Sequence, residues 1–155
     1  MLRFRFLPLF PLVFIVWLGP GCASQKQDFP YYHPAVNSER PVSLLSRVLE
    51  IERMEFENIH LETVAQDRLS SQHLVVIRKE EPRHYHAEHD LWVTVLKGEG
   101  EFWLEGTRFP IHPGSSIFIP RGGRHRATNE GKTSLAAFVI ATPPYDGRDT
   151  VLLED

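Results

Sequence analysis

The sequence has a single cysteine, Cys22, in 155 residues, so no disulfide can staple the fold from within. It has no long membrane-spanning run: Phe6 through Leu18 carries no charge, but it is short of the ~20 apolar residues a transmembrane helix needs, and Pro8 and Pro11 interrupt it. It has no block of Lys and Arg, and with 17 basic against 20 acidic residues the formal charge is −3. Binding driven by release of counterions from a phosphate backbone has no platform here, which excludes nucleic acid as a partner. A Gly-rich loop joining strand to helix is missing, and so is a G-x-S-x-G elbow, which removes nucleotide-phosphate cradles and serine hydrolysis. What is present is a chain of globular composition, 42% hydrophobic and 24% charged, long enough for one compact domain plus a tail.

The first residues read as an address. Arg3 and Arg5 precede the apolar stretch in the n-region and h-region order of a secretory signal. Leu18-Gly-Pro-Gly-Cys22-Ala-Ser resembles a bacterial lipobox, in which small residues precede a cysteine that is lipidated and becomes the new N-terminus, although Gly19 stands where an aliphatic residue is usual. The expectation is a signal peptide over 1–21, a tether over 22–40 containing Pro30 and Pro34, and a domain over 41–155. The protein would then be exported and held in the periplasm or at the outer membrane by a lipid on Cys22. Ordinary cleavage after Ala23 or Ser24 is the alternative.

Within the domain, apolar residues at 44, 45, 48, 49 and 51 behind Ser43 predict one short amphipathic helix with Ser43 as N-cap. From His60 onward the pattern changes to short β-rich runs at 74–77, 91–96, 101–104, 116–119 and 135–141, separated by Gly, Pro and charged turns. That rhythm predicts an all-β sandwich or barrel.

Arg83-His84-Tyr85-His86 places two imidazoles on one side of an extended segment, because side chains alternate across a strand. His125 follows a Gly122-Gly123 turn at the start of another strand, so three histidines from two strands can meet. These residues resemble the cupins, small barrels of the double-stranded β-helix or jelly-roll type. The family's second motif, G(X)5PXG(X)2H(X)3N, is met at each fixed position by Gly114, Pro120, Gly122, His125 and Asn129. The first, G(X)5HXH(X)3-4E(X)6G, is met by His84, His86 and Gly98, with Arg78 in place of the leading glycine. Counting back from Gly98, the acidic position falls on Leu91, which cannot bind a metal. Asp90, at the shorter spacing from His86, is the candidate replacement if the strand bulges, and His89 is a second. If instead Leu91, Val93 and Val95 face the interior, Asp90 has the wrong parity and the set shrinks to His84, His86 and His125.

The resemblance implies a divalent metal, Fe, Mn, Ni, Co, Cu or Zn, since imidazole suits most of them. It also implies a small molecule inside the barrel and a homodimer. Three imidazoles plus a carboxylate leave two open positions on an octahedral ion, whereas three imidazoles alone suit a tetrahedral ion with one water. An enzyme of this kind would be a dioxygenase, isomerase or lyase, and no residue chooses among these. The rival is a non-catalytic metal or small-ligand module of the envelope, and a third option is a metal-free interaction barrel. Arg121, Arg124 and Arg126 flank His125 and are candidates to clamp a carboxylate. His60, His73 and His112 have no motif support, Trp92 and Trp103 are expected to pack outside the pocket, and Asp146 and Asp149 are expected to brace a C-terminal segment lying across the barrel.

Overall fold

The computed structural model describes residues 30–31 and 42–154. Cys22, the expected signal segment and most of the tether lie outside them. In chain order the elements are β1 (Pro30–Tyr31), β2 (Val42–Ser43), α1 (Leu44–Glu52), β3 (Ile59–Gln66), β4 (Ser71–Ile77), β5 (His84–His86), β6 (Asp90–Lys97), β7 (Gly100–Leu104), β8 (Thr107–Ile111), β9 (Ser116–Ile119), β10 (His125–Asn129), β11 (Leu135–Thr142) and β12 (Thr150–Leu152). β1 pairs with β2, and the other strands form two five-stranded sheets in the orders β3-β4-β11-β6-β9 and β12-β5-β10-β7-β8, with antiparallel pairing throughout. This is the jelly roll the sequence predicts.

Alternation in the first sheet explains its composition. Along β6, Leu91, Val93 and Val95 point between the sheets, and Ile117 and Ile119 of β9 with Leu135, Val139 and Ala141 of β11 meet them in one interior cluster that also takes Phe102 and Ile111 from the second sheet. β4 is buried on both sides: Ile77 faces this interior, while Leu74 and Val76 face α1. That double burial is why its sequence is almost continuously apolar.

The helix forms where the apolar spacing predicts. Ser43 caps it, its hydroxyl accepting from the Ser46 amide at 3.2 Å. Leu44, Val48 and Ile51 form one stripe that packs on Leu74, Val76, Leu96 and Ala136, the outer side of the first sheet. Arg47 holds Glu62 through two nitrogens at 2.6 and 2.8 Å, tying the helix to β3. α1 covers the far end of β6 at Leu96 but not its start or β9, and there Trp92 and Phe118 pack on each other with ring centroids 5.9 Å apart. Trp92 therefore sits outside the barrel, as does Trp103, whose ring carries the Arg83 guanidinium at 4.3 Å.

The chain after β11 closes the second sheet. β12 pairs with β5, setting Thr150 opposite His86 and Leu152 opposite His84. Asp149 braces this return by accepting from the amides of Ala87 and Glu88 at 3.1 and 2.9 Å and from His89 Nδ1 at 2.5 Å.

Burial on the inner face of α1 and exposure on its outer face, two residues away, predict different outcomes for two substitutions. Ile51→Ala, at a side chain with no exposed surface, should cost about 2 to 5 kcal/mol. Leu49→Ala, at a residue 45% exposed, should stay within about 0.5 kcal/mol. Urea denaturation of the two variants beside the parent measures both.

Candidate metal centre

β5 and β10 are neighbours in the second sheet, and their register sets His84 directly opposite His125. His86 lies two residues on, so all three imidazoles leave the same face of the sheet, toward the interior. Ring centroids are 4.2 Å apart for His84 and His125, 5.0 Å for His84 and His86, and 5.5 Å for His86 and His125. Each offers a nitrogen within 4.8 Å of the others, a group that could hold a metal ion. All three are buried, at 3%, 8% and 2% exposure for His84, His86 and His125.

Two residues of the motif around His125, Gly122 and Asn129, hold backbone in place. Gly122 adopts φ +77°, a left-handed conformation that side chains resist, and from there its amide donates to the His86 carbonyl at 2.6 Å. The turn that introduces one histidine strand thus clips the other. Asn129 bonds backbone instead of the site: its amide nitrogen donates to the carbonyls of Arg78 and Thr133, both at 2.9 Å, and its oxygen accepts from the Gly131 amide.

Backbone carbonyls also choose the tautomers. His84 Nδ1 donates to the Pro82 carbonyl at 2.7 Å and His125 Nδ1 to the Gly123 carbonyl at 2.9 Å, which leaves each Nε2 as the electron-pair donor. His86 has a buried Nδ1 with no hydrogen-bond partner. Burial lowers the His125 imidazole to about 3, helped by His84 and His86 and opposed by the Gly123 carbonyl. Burial likewise lowers His86 to about 4, with His84 adding to the effect and Asp149 opposing it. Both rings are therefore neutral near pH 7. Uncharged imidazoles with free electron pairs fit a first-row divalent ion, so the donor chemistry and the cluster agree.

The remaining sequence candidates lie elsewhere. Asp90 is not brought to the histidines: Leu91, Val93 and Val95 take the interior, so Asp90 faces out and accepts from the Arg121 backbone amide at 2.8 Å and from Arg121 Nη2 at 2.8 Å. That pair holds the Asp90 carboxyl below the ordinary aspartate range. His89 is buried but committed to the C-terminal return, through Asp149 and, at 3.2 Å, the Pro144 carbonyl. Arg124 pairs with Glu105, and none of Arg121, Arg124 and Arg126 lines the interior cavity, so no clamp forms there.

That cavity, about 330 Å3, opens between the sheets with the three histidines in its wall. Most of the wall is aliphatic or aromatic, including Val75, Val93, Phe102, Ile111 and Ile119. Its other polar side chains are His73, Glu81, Tyr145 and Thr150, and among the described residues no Lys or Arg lines it. Sequence reasoning set His73 aside for want of a motif and did not place Glu81, Tyr145 or Thr150 in the wall. His73 stands two residues before Val75 on the inward face of β4, a parity signal that was available. The other three come from irregular chain or the C-terminal return, where no period marks them. His73 uses both ring nitrogens on hydroxyls, Ser71 at 2.7 Å and Thr63 at 3.2 Å, so neither is free for an ion.

Comparison with known proteins agrees with this architecture. A family profile described as Cupin domain matches residues 73–141. An uncharacterised protein of Aquifex aeolicus is 50% identical over 86 residues, which cover 54% of this chain and 69% of that one. A mannose-1-phosphate guanylyltransferase of Sinorhizobium fredii is 38% identical over 71 residues, 45% of this chain but only 13% of the enzyme. Among solved structures, KdgF from Halomonas sp. superposes with a TM-score of 0.55 at 25% identity, covering 60% of this chain and 86% of that one.

The depressed imidazoles make the ion-free protein acid-sensitive. In the unfolded chain His86 and His125 take up protons near pH 6.5, whereas the folded chain resists until about 4 and 3. Their contribution to stability is thus complete above about pH 6.5 and declines as pH falls toward 3. Denaturation midpoints of the chelator-treated protein should fall between pH 7 and pH 4.5, and the fall should be shallower in a His86→Gln/His125→Gln variant.

Proposed function

The chain belongs to the cupin superfamily, and we propose that it is an exported, lipid-anchored member that binds a divalent metal ion through His84, His86 and His125 and presents it to a small molecule in the barrel. The observation that carries this reading is the convergence of three buried histidines on the wall of the cavity between the sheets. Bound there, an ion would act as a Lewis acid on a coordinated oxygen. The chain's own contribution is placement, exclusion of water and a low-polarity wall.

The wall also narrows the molecule. A volume of about 330 Å3 is at the small end of ligand pockets. Phosphate would find no Lys or Arg, and a sugar would find few partners for its hydroxyls beyond the polar end of the cavity. The occupant that fits is a compact molecule with an apolar body and one polar head directed at the histidines. The guanylyltransferase's name is thus no guide to this cavity. Dioxygenase, isomerase and lyase chemistry all remain compatible with such a site, and no side chain chooses among them.

One observation favours a non-catalytic metal or ligand carrier as a second reading. Leu91, where the family pattern calls for glutamate, is buried at 7% exposure with its side chain toward the interior, and supplies no donor. The anchoring half of the proposal rests on the sequence around Cys22. Attachment of the mature N-terminus to a lipid would leave the barrel free to receive a ligand from the surrounding compartment, and a homodimer is proposed from the family resemblance.

Elemental analysis of the full-length protein, purified without chelator or histidine tag, tests the metal. About one ion per chain is expected in the parent and in His112→Ala, and none in His84→Ala/His125→Ala. Equal content in all three, or no ion in the parent after reconstitution with Zn, Fe or Mn salts, would overturn the site.

A further inference from the structure

The family's carboxylate position is empty of donors, and the two carboxylates nearest to replacing it are engaged. Asp90 is held outside by Arg121, and Asp149 by His89 and the amides of Ala87 and Glu88. Glu81 differs from both. Its carboxylate lines the cavity, and Oε1 stands 3.8 Å from His84 Nε2, the nitrogen that the Pro82 carbonyl leaves free to bind an ion. Among the described residues no Lys or Arg pairs with Glu81, and no hydrogen bond engages its carboxylate; His84 is its one ionic neighbour.

The backbone holds Glu81 in this position from several sides. Its amide donates to the Ala127 carbonyl at 2.8 Å, on the strand that carries His125, and the preceding residue, Glu80, bridges to Thr128. Pro82 then restricts the chain, and its carbonyl orients His84. On the far side, the Arg83 carbonyl accepts from the Leu153 amide at 2.9 Å. Glu81 and His84 are thus held in one short segment, three residues apart, and referenced to β10.

We propose that Glu81 is the fourth ligand of this centre, making it a site of three imidazoles and one carboxylate for a divalent first-row ion. The inference rests on the reading of His84, His86 and His125 as a metal centre. Two ligands ~2.1 Å from one ion stand ~3.0 Å apart at a right angle and ~3.4 Å apart at the tetrahedral angle. On the His84 side the observed 3.8 Å needs less than an ångström of closure; Glu81 stands outside the 4.8 Å within which the three histidine nitrogens meet, so its side chain must also swing toward His86 and His125, through open cavity space. Charge argues the same way: a dication held by three imidazoles in an apolar wall lacks an anion to offset it, and the Glu81 carboxylate stands on that wall with no Lys or Arg beside it. The first cupin motif would then be satisfied from the N-terminal side of its histidine pair, three residues before His84, instead of from the C-terminal side.

Cobalt titration of the full-length protein tests this. The parent, Glu81→Gln, Glu81→Asp and Asp90→Asn are stripped with chelator and titrated with Co2+, reading affinity by competition and coordination number from the visible spectrum. The parent and Asp90→Asn should match, with the weak bands of a five- or six-coordinate ion. Glu81→Gln should bind at least ~10-fold more weakly and show the stronger bands of a four-coordinate ion, while Glu81→Asp should retain the parent's spectrum at reduced affinity. Affinity by itself does not separate a ligand from a residue acting through His84, and the spectrum does. A Glu81→Gln variant with the parent's spectrum would overturn the assignment and leave the histidine site standing; absence of Co2+ binding in the parent would overturn both.

Discussion

The antiparallel pairing of β5 with β10 is the constraint on which the site depends. It sets His84 opposite His125, and the period of two along β5 then adds His86 to the same face. A slip of β5 by one residue would turn His84 and His86 away from His125. The register is defended on both flanks: the Gly122 amide clips the His86 carbonyl, and β12 pairs along the other edge of β5. The C-terminal return is therefore part of the site's support, and the Asp149 bonds to the Ala87 and Glu88 amides are what hold it against the end of β5.

The rest of the barrel supplies the medium. Because inward positions on β4, β6, β9 and β11 are almost all aliphatic, the histidines lie in a wall that solvates charge poorly, and burial drives His86 and His125 far below the ordinary imidazole range. The same burial leaves His86 Nδ1 unpartnered, a cost of about 1 to 3 kcal/mol for a polar group of this kind. A cluster of buried, crowded imidazoles is thus a structural expense unless something uses it. The helix works at the opposite surface. It covers Leu74, Val76 and Leu96 and so lets β4 be apolar on both faces, which keeps the first sheet rigid behind the cavity.

Much of this was legible in the linear sequence. The strand rhythm gave away the all-β class, Ser43 with its apolar stripe marked the helix, and the spacing from Gly114 to Asn129 pointed to the fold family and to His125. Parity along Leu91, Val93 and Val95 was enough to cast doubt on Asp90. Other features were harder to read. β12 is three residues at the end of an irregular segment, too short for a period, and His73 had a parity signal but no motif. His89 looked like a stand-in ligand because sequence distance alone says nothing of Asp149, sixty residues on, which claims its Nδ1.

The sequence by itself determined what repeats at short range: which residues alternate, where glycine permits a left-handed turn, which segment is amphipathic, and which histidines stand two apart. These follow from backbone geometry and local sterics, which depend only on neighbours along the chain. The tertiary structure alone decided which distant groups share a space. It gave Asp90 to Arg121, Asp149 to His89, and the cavity wall to Glu81, Tyr145 and Thr150, because hydrogen bonding and desolvation act through distance in space, and packing two sheets face to face sets those distances.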